Sequence, residues 1–125
     1  MARRRKLTWI YFLFCLPVFG QDISIITNWD YERKSDRFEK INATVATTHG
    51  YIIAVGETTN PSLQDKDGLF ILLNAENGQR EAWVEMGGIG EQSLNAIVQN
   101  PNGTFTAVGY HNRDGKGQDG WVVVL

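Results

Sequence analysis

NATVATTHGYIIAVG, residues 42–56, recurs 53 residues later as NAIVQNPNGTFTAVG, residues 95–109. Seven of the fifteen positions are identical, including the closing Ala-Val-Gly. After a gap of one residue the correspondence resumes at an offset of 52, with Asp67–Leu73 (DGLFILL) lying on Asp119–Leu125 (DGWVVVL). Ten identities in twenty-two ordered positions, within a chain of 125 residues, mark an internal duplication.

Each copy has the pattern of short strands separated by turn clusters. Leu94–Gln99, Thr104–His111 and Gly120–Leu125 are rich in β-branched and aromatic residues. Between the first two lies Asn100-Pro101-Asn102-Gly103, where Pro101 pre-sets φ and Asn102-Gly103 can adopt the positive φ of a tight hairpin. Thr48-His49-Gly50 supplies the same hairpin in the first copy. Arg80–Met86 (REAWVEM) is a further strand, joined to Leu73 through Asn74-Ala75-Glu76-Asn77-Gly78. Asp22–Trp29 is expected to supply the strand preceding the first copy. The expectation is about eight strands in two sets of four, with repeats near 22–73 and 80–125.

Two features favour a β-propeller over a sandwich. Tyr51–Val55 and Trp121–Leu125 are unbroken apolar runs, as in strands whose sheets are covered on both faces. A period near 53 is also close to the length of one four-stranded blade. The expected fold is therefore all-β, two four-stranded antiparallel blades of an incomplete β-propeller over residues 21–125. An eight-stranded Greek-key sandwich containing a duplication is the alternative. Closed propellers need about four to eight blades, so two leave apolar faces uncovered, in parts of the Ile52/Val55 and Trp121/Val123 sets. Residues 21–125 made alone are expected to self-associate or dissolve poorly.

Residues 1–20 read as a signal peptide. Arg3, Arg4, Arg5 and Lys6 precede the apolar run Leu7–Phe19, and Gly20 ends it. The run is short for a membrane span, so no span is expected after cleavage. Its loss removes four basic charges, leaving 12 − 4 = 8 Lys/Arg against 14 Asp/Glu, a net charge of −6. Such an acidic chain is a poor binder of nucleic acid. Cys15 also leaves, so no disulfide is expected in a secreted, periplasmic or cell-surface setting.

The run Trp83…Gly87-Gly88…Leu94-Asn95-Ala96-Ile97-Val98-Gln99…Asn102-Gly103…Ala107-Val108-Gly109-Tyr110…Gly117-Gln118-Asp119-Gly120-Trp121 resembles a bacterial secreted propeller repeat. Blades of that family, common in exported proteins of Bacteroidota and kelch-like in shape, read approximately W-x-K-T-Y-G-G, then D-x-A-x-x-V-x-x-T-x-D-G-G-Y-x-x-A-G-x-T, then G-x-D-x-W-L-x-K-L-D. The resemblance covers Ile41–Leu125. This chain departs from it at Val124 and Leu72, where the family usually has Lys. The resemblance implies a fold and an exported setting, not a reaction. It marks Gly50, Gly56, Asp67, Trp83, Gly103, Gly109, Asp119 and Trp121 as structural repeat positions. Trp83 and Trp121 are expected between blades, and Asp67 and Asp119 to accept loop N–H bonds just before a strand.

No catalytic set emerges from the residues. His49 and His111 are the only histidines, and both are expected to be exposed. Asn112–Asp119 departs from a calcium loop at Lys116 and Val123 and reads as a solvated hairpin. No catalytic residue, metal or cofactor is therefore assigned. The expected function is an exported, non-catalytic binding module for a protein or glycan, with further blades or self-association completing it. Alternatively, it is the accessory propeller of a secreted hydrolase whose catalytic domain lies elsewhere. The end of the sequence at Leu125, within a strand pattern, favours a fragment of a larger protein.

Overall fold

The computed structural model describes residues 28–62, 64–113 and 115–125. The expected signal peptide, residues 22–27 of the expected first strand and Asp114 of the 112–119 loop lie outside them. The described chain is all-β: β1 (Phe38–Ala46), β2 (Tyr51–Asn60), β3 (Asp65–Asn74), β4 (Arg80–Met86), β5 (Glu91–Gln99), β6 (Phe105–Asn112) and β7 (Asp119–Val124).

β1 to β4 form an antiparallel meander and β5 to β7 a second, joined by one parallel pair, Lys66 with Glu91, in a sheet that does not close. The strands are thus four and three among the described residues, where two sets of four are expected. Arg80–Met86 forms as predicted, yet it belongs by pairing to β3 and not to β5. The hairpin at Asn74–Gly78 dictates this: Gly78 N–H donates to the Asn74 carbonyl at 2.8 Å, and Asn74 Oδ1 accepts from Glu76 N–H at 2.9 Å. Together these bonds turn the chain straight back onto β3. Asn28 and Trp29, the end of the predicted first strand, are not in a strand. Instead the Trp29 indole donates to the Ala75 carbonyl at 3.0 Å.

The first hairpin of each meander shares one irregularity. Pairing slips between Ile41 and Ala43 and again between Leu94 and Ala96, so Asn42 and Asn95 are bulge residues. Opposite each bulge stands a glycine. A Cβ on Gly56 would lie 1.8 Å from the Lys40 carbonyl oxygen, and one on Gly109 would lie 1.8 Å from that of Ser93. No side chain fits there. The next strands keep the correspondence, since Gly56 pairs with Leu69 and Gly109 with Trp121. The hairpin tips close on Gly50 and Gly103 at φ of +84° and +87°.

The meanders stack face to face. Ile53 and Val55 of β2 form one core with Leu94, Ile97 and Ala107, and Val45, Phe70, Leu72, Trp121 and Val123 pack around it. The opposite face of the first meander, with Ala54, Leu69, Ile71 and Leu73, is covered by Trp29 and Tyr31. β2 is therefore covered on both sides, as its apolar run predicts. β7 is not: Trp121 and Val123 turn inward while Val122 and Val124 face out. This corrects the expectation that Ile52/Val55 and Trp121/Val123 form the open faces.

Gly56→Ala and Gly109→Ala are each expected to lower stability in urea unfolding by about 3 kcal/mol, or to prevent folding. Gly120→Ala, where a Cβ meets no atom within 4 Å, is expected to be near neutral.

Candidate functional site

At one end of the stack, a cleft of about 460 Å³ opens between the β4–β5 link and the inward face of the second meander. Gly87, Gly88 and Ile89 form one wall, and Gln92, His111, Arg113 and Trp121 line the rest. The wall is fixed from below by the buried Gln92, whose Oε1 accepts from Gly88 N–H at 3.3 Å and whose Nε2 donates to the Ile89 carbonyl at 3.1 Å. This anchoring projects Ile89 into solvent, 84% exposed, at the rim. A Cβ on Gly87 would meet the Asp67 carboxyl and Gln92 Oε1.

Strand register places the polar groups. Gln92, His111 and Asp119 form one row across β5, β6 and β7. His111 is half-buried, and its Nδ1 is sealed from solvent without a partner among the described residues, as is Asn112 Oδ1. His111 is therefore not the exposed strand-end histidine that is expected; β6 extends through Asn112, and His111 lines the cleft. His49 is exposed in its hairpin, as expected. The cleft thus offers an indole, an imidazole and a guanidinium, a composition suited to holding a polar ligand with apolar faces.

The expected structural positions divide. Trp121 lies against the core between the meanders and touches the Gly68 backbone region. Trp83 does not: it is 40% exposed on β4, with the Arg33 guanidinium stacked 4.0 Å from its ring centroid. Its row across the sheet contains Ile71, on the face covered by residues 29–33 and not by the other meander. Asp119 opens β7 opposite His111. Asp67 lies inside β3, two places past its start, and is not among the residues lining the cleft. Burial, with Asp65 and Glu85 nearby, pushes its carboxyl above the ordinary value against the opposing pull of Arg37.

A second polar cluster, which the sequence did not single out, ties the meanders together at the bulges. Asn42 Nδ2 donates to the Leu94 carbonyl at 2.8 Å, and the buried Ser93 hydroxyl donates to Glu57 at 2.7 Å. Lys66 pairs with the same carboxylate at 3.3 Å. Burial works to raise Glu57, but the Ser93 hydrogen bond and Lys66 outweigh it and hold the carboxyl below the usual range. Burial likewise works to lower Lys66, and Glu57 overcomes it, raising the ammonium above its ordinary value. The available signal was Asn42 and Asn95 recurring at an offset of 53, although Ser93 and Glu57 carry no comparable mark.

Comparison with protein families, with curated proteins and with solved structures finds no match to this chain.

Ser93→Ala is expected to cost about 2 kcal/mol at pH 7, the scale of a hydrogen bond to a charged group. Because Glu57 is lowered, its contribution is present above the ordinary carboxylate range and lost as pH falls through the lowered value. The difference between Ser93→Ala and the parent therefore shrinks in acid-titrated urea unfolding. Asp67 has the opposite sign: its raised carboxyl costs stability as pH rises through the folded pKa. Asp67→Asn is expected to be more stable than the parent at pH 7, with the gain vanishing in acid.

Proposed function

We propose that the two meanders are blades of a propeller-type repeat in an exported, non-catalytic binding module, and that the cleft at the β4–β5 link holds a glycan. The cleft itself carries this reading. A sugar ring has apolar faces that stack on indole and hydroxyls that need fixed donors and acceptors. Trp121 supplies the aromatic surface, Ile89 an exposed apolar rim, and His111 and Gln92 the polar side chains of the lining. Arg113, exposed at the mouth, favours sugars bearing an acidic group.

Binding fits this cleft better than catalysis. Hydrolysis of a glycosidic bond calls for a pair of carboxylates flanking it. Among the described residues the lining comprises three link residues, a glutamine, a histidine, an arginine and a tryptophan. The blade reading is supported by the bulge, its opposing glycine and the three-strand register, all of which recur at the offsets of the sequence duplication. It agrees with the resemblance over Ile41–Leu125, and the exported setting follows from the basic-then-apolar start of the chain.

A glycan array probed with the chain from Gln21 onward is expected to show selective binding to acidic oligosaccharides. Arg113→Gln is expected to weaken it about tenfold by titration calorimetry, the scale of one charge-assisted contact. A blank array, or binding indifferent to Arg113→Gln and Trp121→Phe alike, would contradict the assignment.

A further inference from the structure

The outward face of the second meander is apolar and, among the described residues, uncovered. Val98 is 57% exposed, Val108 39%, and Val122 and Val124 65% each. Strand register sets Ala96, Val108 and Val122 in one row, and Val98, Thr106 and Val124 in the next. Counting back 53 residues on β5 and β6, and 52 on β7, these six positions fall on Ala43, Val55, Phe70, Val45, Ile53 and Leu72. All six belong to the face of the first meander that the second one covers. The open face is therefore the positional counterpart of the face already used in stacking.

The polar part of the interface also continues onto this face. Asn42 Nδ2 crosses between the meanders to the Leu94 carbonyl at 2.8 Å and reaches Asn95 Oδ1 at 3.4 Å. Asn95 is the counterpart of Asn42 and is exposed; its Oδ1 also accepts from Ser93 Oγ at 3.2 Å. Its own amide N–H groups have no partner among the described residues. The chain Asn42–Ser93–Asn95 thus runs out of the existing interface and ends on the open face with a free donor. The free edge of β7 matches: β3, its counterpart, carries β4 there, and β7 carries no strand among the described residues.

We propose that this face docks a third meander of the same design, offering an apolar face like Leu94, Ile97, Ala107, Trp121 and Val123 and a bulge carbonyl for Asn95. A second copy of this chain has no such face free. Its first meander is covered by Trp29 and Tyr31, and its second by its first. The proposal rests on reading the two meanders as copies of one unit and is independent of what the cleft binds.

The test extends the full chain by a second Asn74–Leu125 segment placed directly after Leu125. By the same offset this segment brings a strand for the β7 edge and a sheet for the open face. The expected result is protection of the added segment in hydrogen exchange, loss of solvent contact at Val98 and Val122, and one unfolding transition raised by roughly 5–10 °C. Val122→Lys is expected to erase that rise while leaving the unextended chain within about 2 °C of its parent. An added segment that is protected while Val98 and Val122 stay exposed would overturn the docking and leave the shared unit standing. An added segment that never becomes protected would overturn both. A dimer of the unextended chain that Val122→Lys dissolves would assign the face to a second copy and overturn the third meander.

Discussion

The carbonyl oxygens of Lys40 and Ser93 fill the space where Gly56 and Gly109 would otherwise carry side chains. That close approach fixes each bulge, because the extra residue can be accommodated only where the opposite strand presents bare backbone. The bulge shifts the strand by one residue, which exchanges its inward and outward faces. In the first meander it also frees Asn42 from the ladder, so that its amide crosses to the Leu94 carbonyl. Stacking, the shared core and the cleft beside the second bulge all depend on this geometry.

Charge is used sparingly and in two places. Glu57, Ser93 and Lys66 bridge the meanders where they are partly shielded, so their hydrogen bonds are stronger than they would be in water. The segment before β1 uses a second, equally shielded set: Arg33 and Arg37 pair with Glu85, and Arg33 also pairs with Glu39. Trp29 also holds the segment down, its ring lying against Gly78 and its indole N–H reaching Ala75. The result is an asymmetric stack, capped by Trp29 and Tyr31 at one face and open at the Val98, Val108 and Val122 face.

Much of the fold was legible because its determinants are local. Turn residues at 48–50, 74–78 and 100–103 announce the hairpins, whereas Gly56 and Gly109 read only as repeat positions and not as partners of a bulge. The grouping of strands was less legible. The loop at 74–78 reads as a hairpin, yet the repeat bounds set Arg80–Met86 with the second copy; the hydrogen bonds within the Asn74 turn return it to β3 and the first meander. The two apolar runs looked alike, yet only β2 is covered on both faces, since coverage depends on what stacks and not on the strand itself. The cleft was the least legible part. His111 reads as an exposed strand end until strand register aligns it with Gln92, and Gln92 matters only because it holds the backbone at 88 and 89.

Methyl contacts measured by NMR in the chain from Gln21 onward test the central claim, that the meanders stack face to face in this register. The account predicts nuclear Overhauser effects from the methyls of Ile53 and Val55 to those of Leu94 and Ile97. Contacts confined within each meander, or Ile97 methyls lying against Ala54 and Ile71 instead, would contradict it.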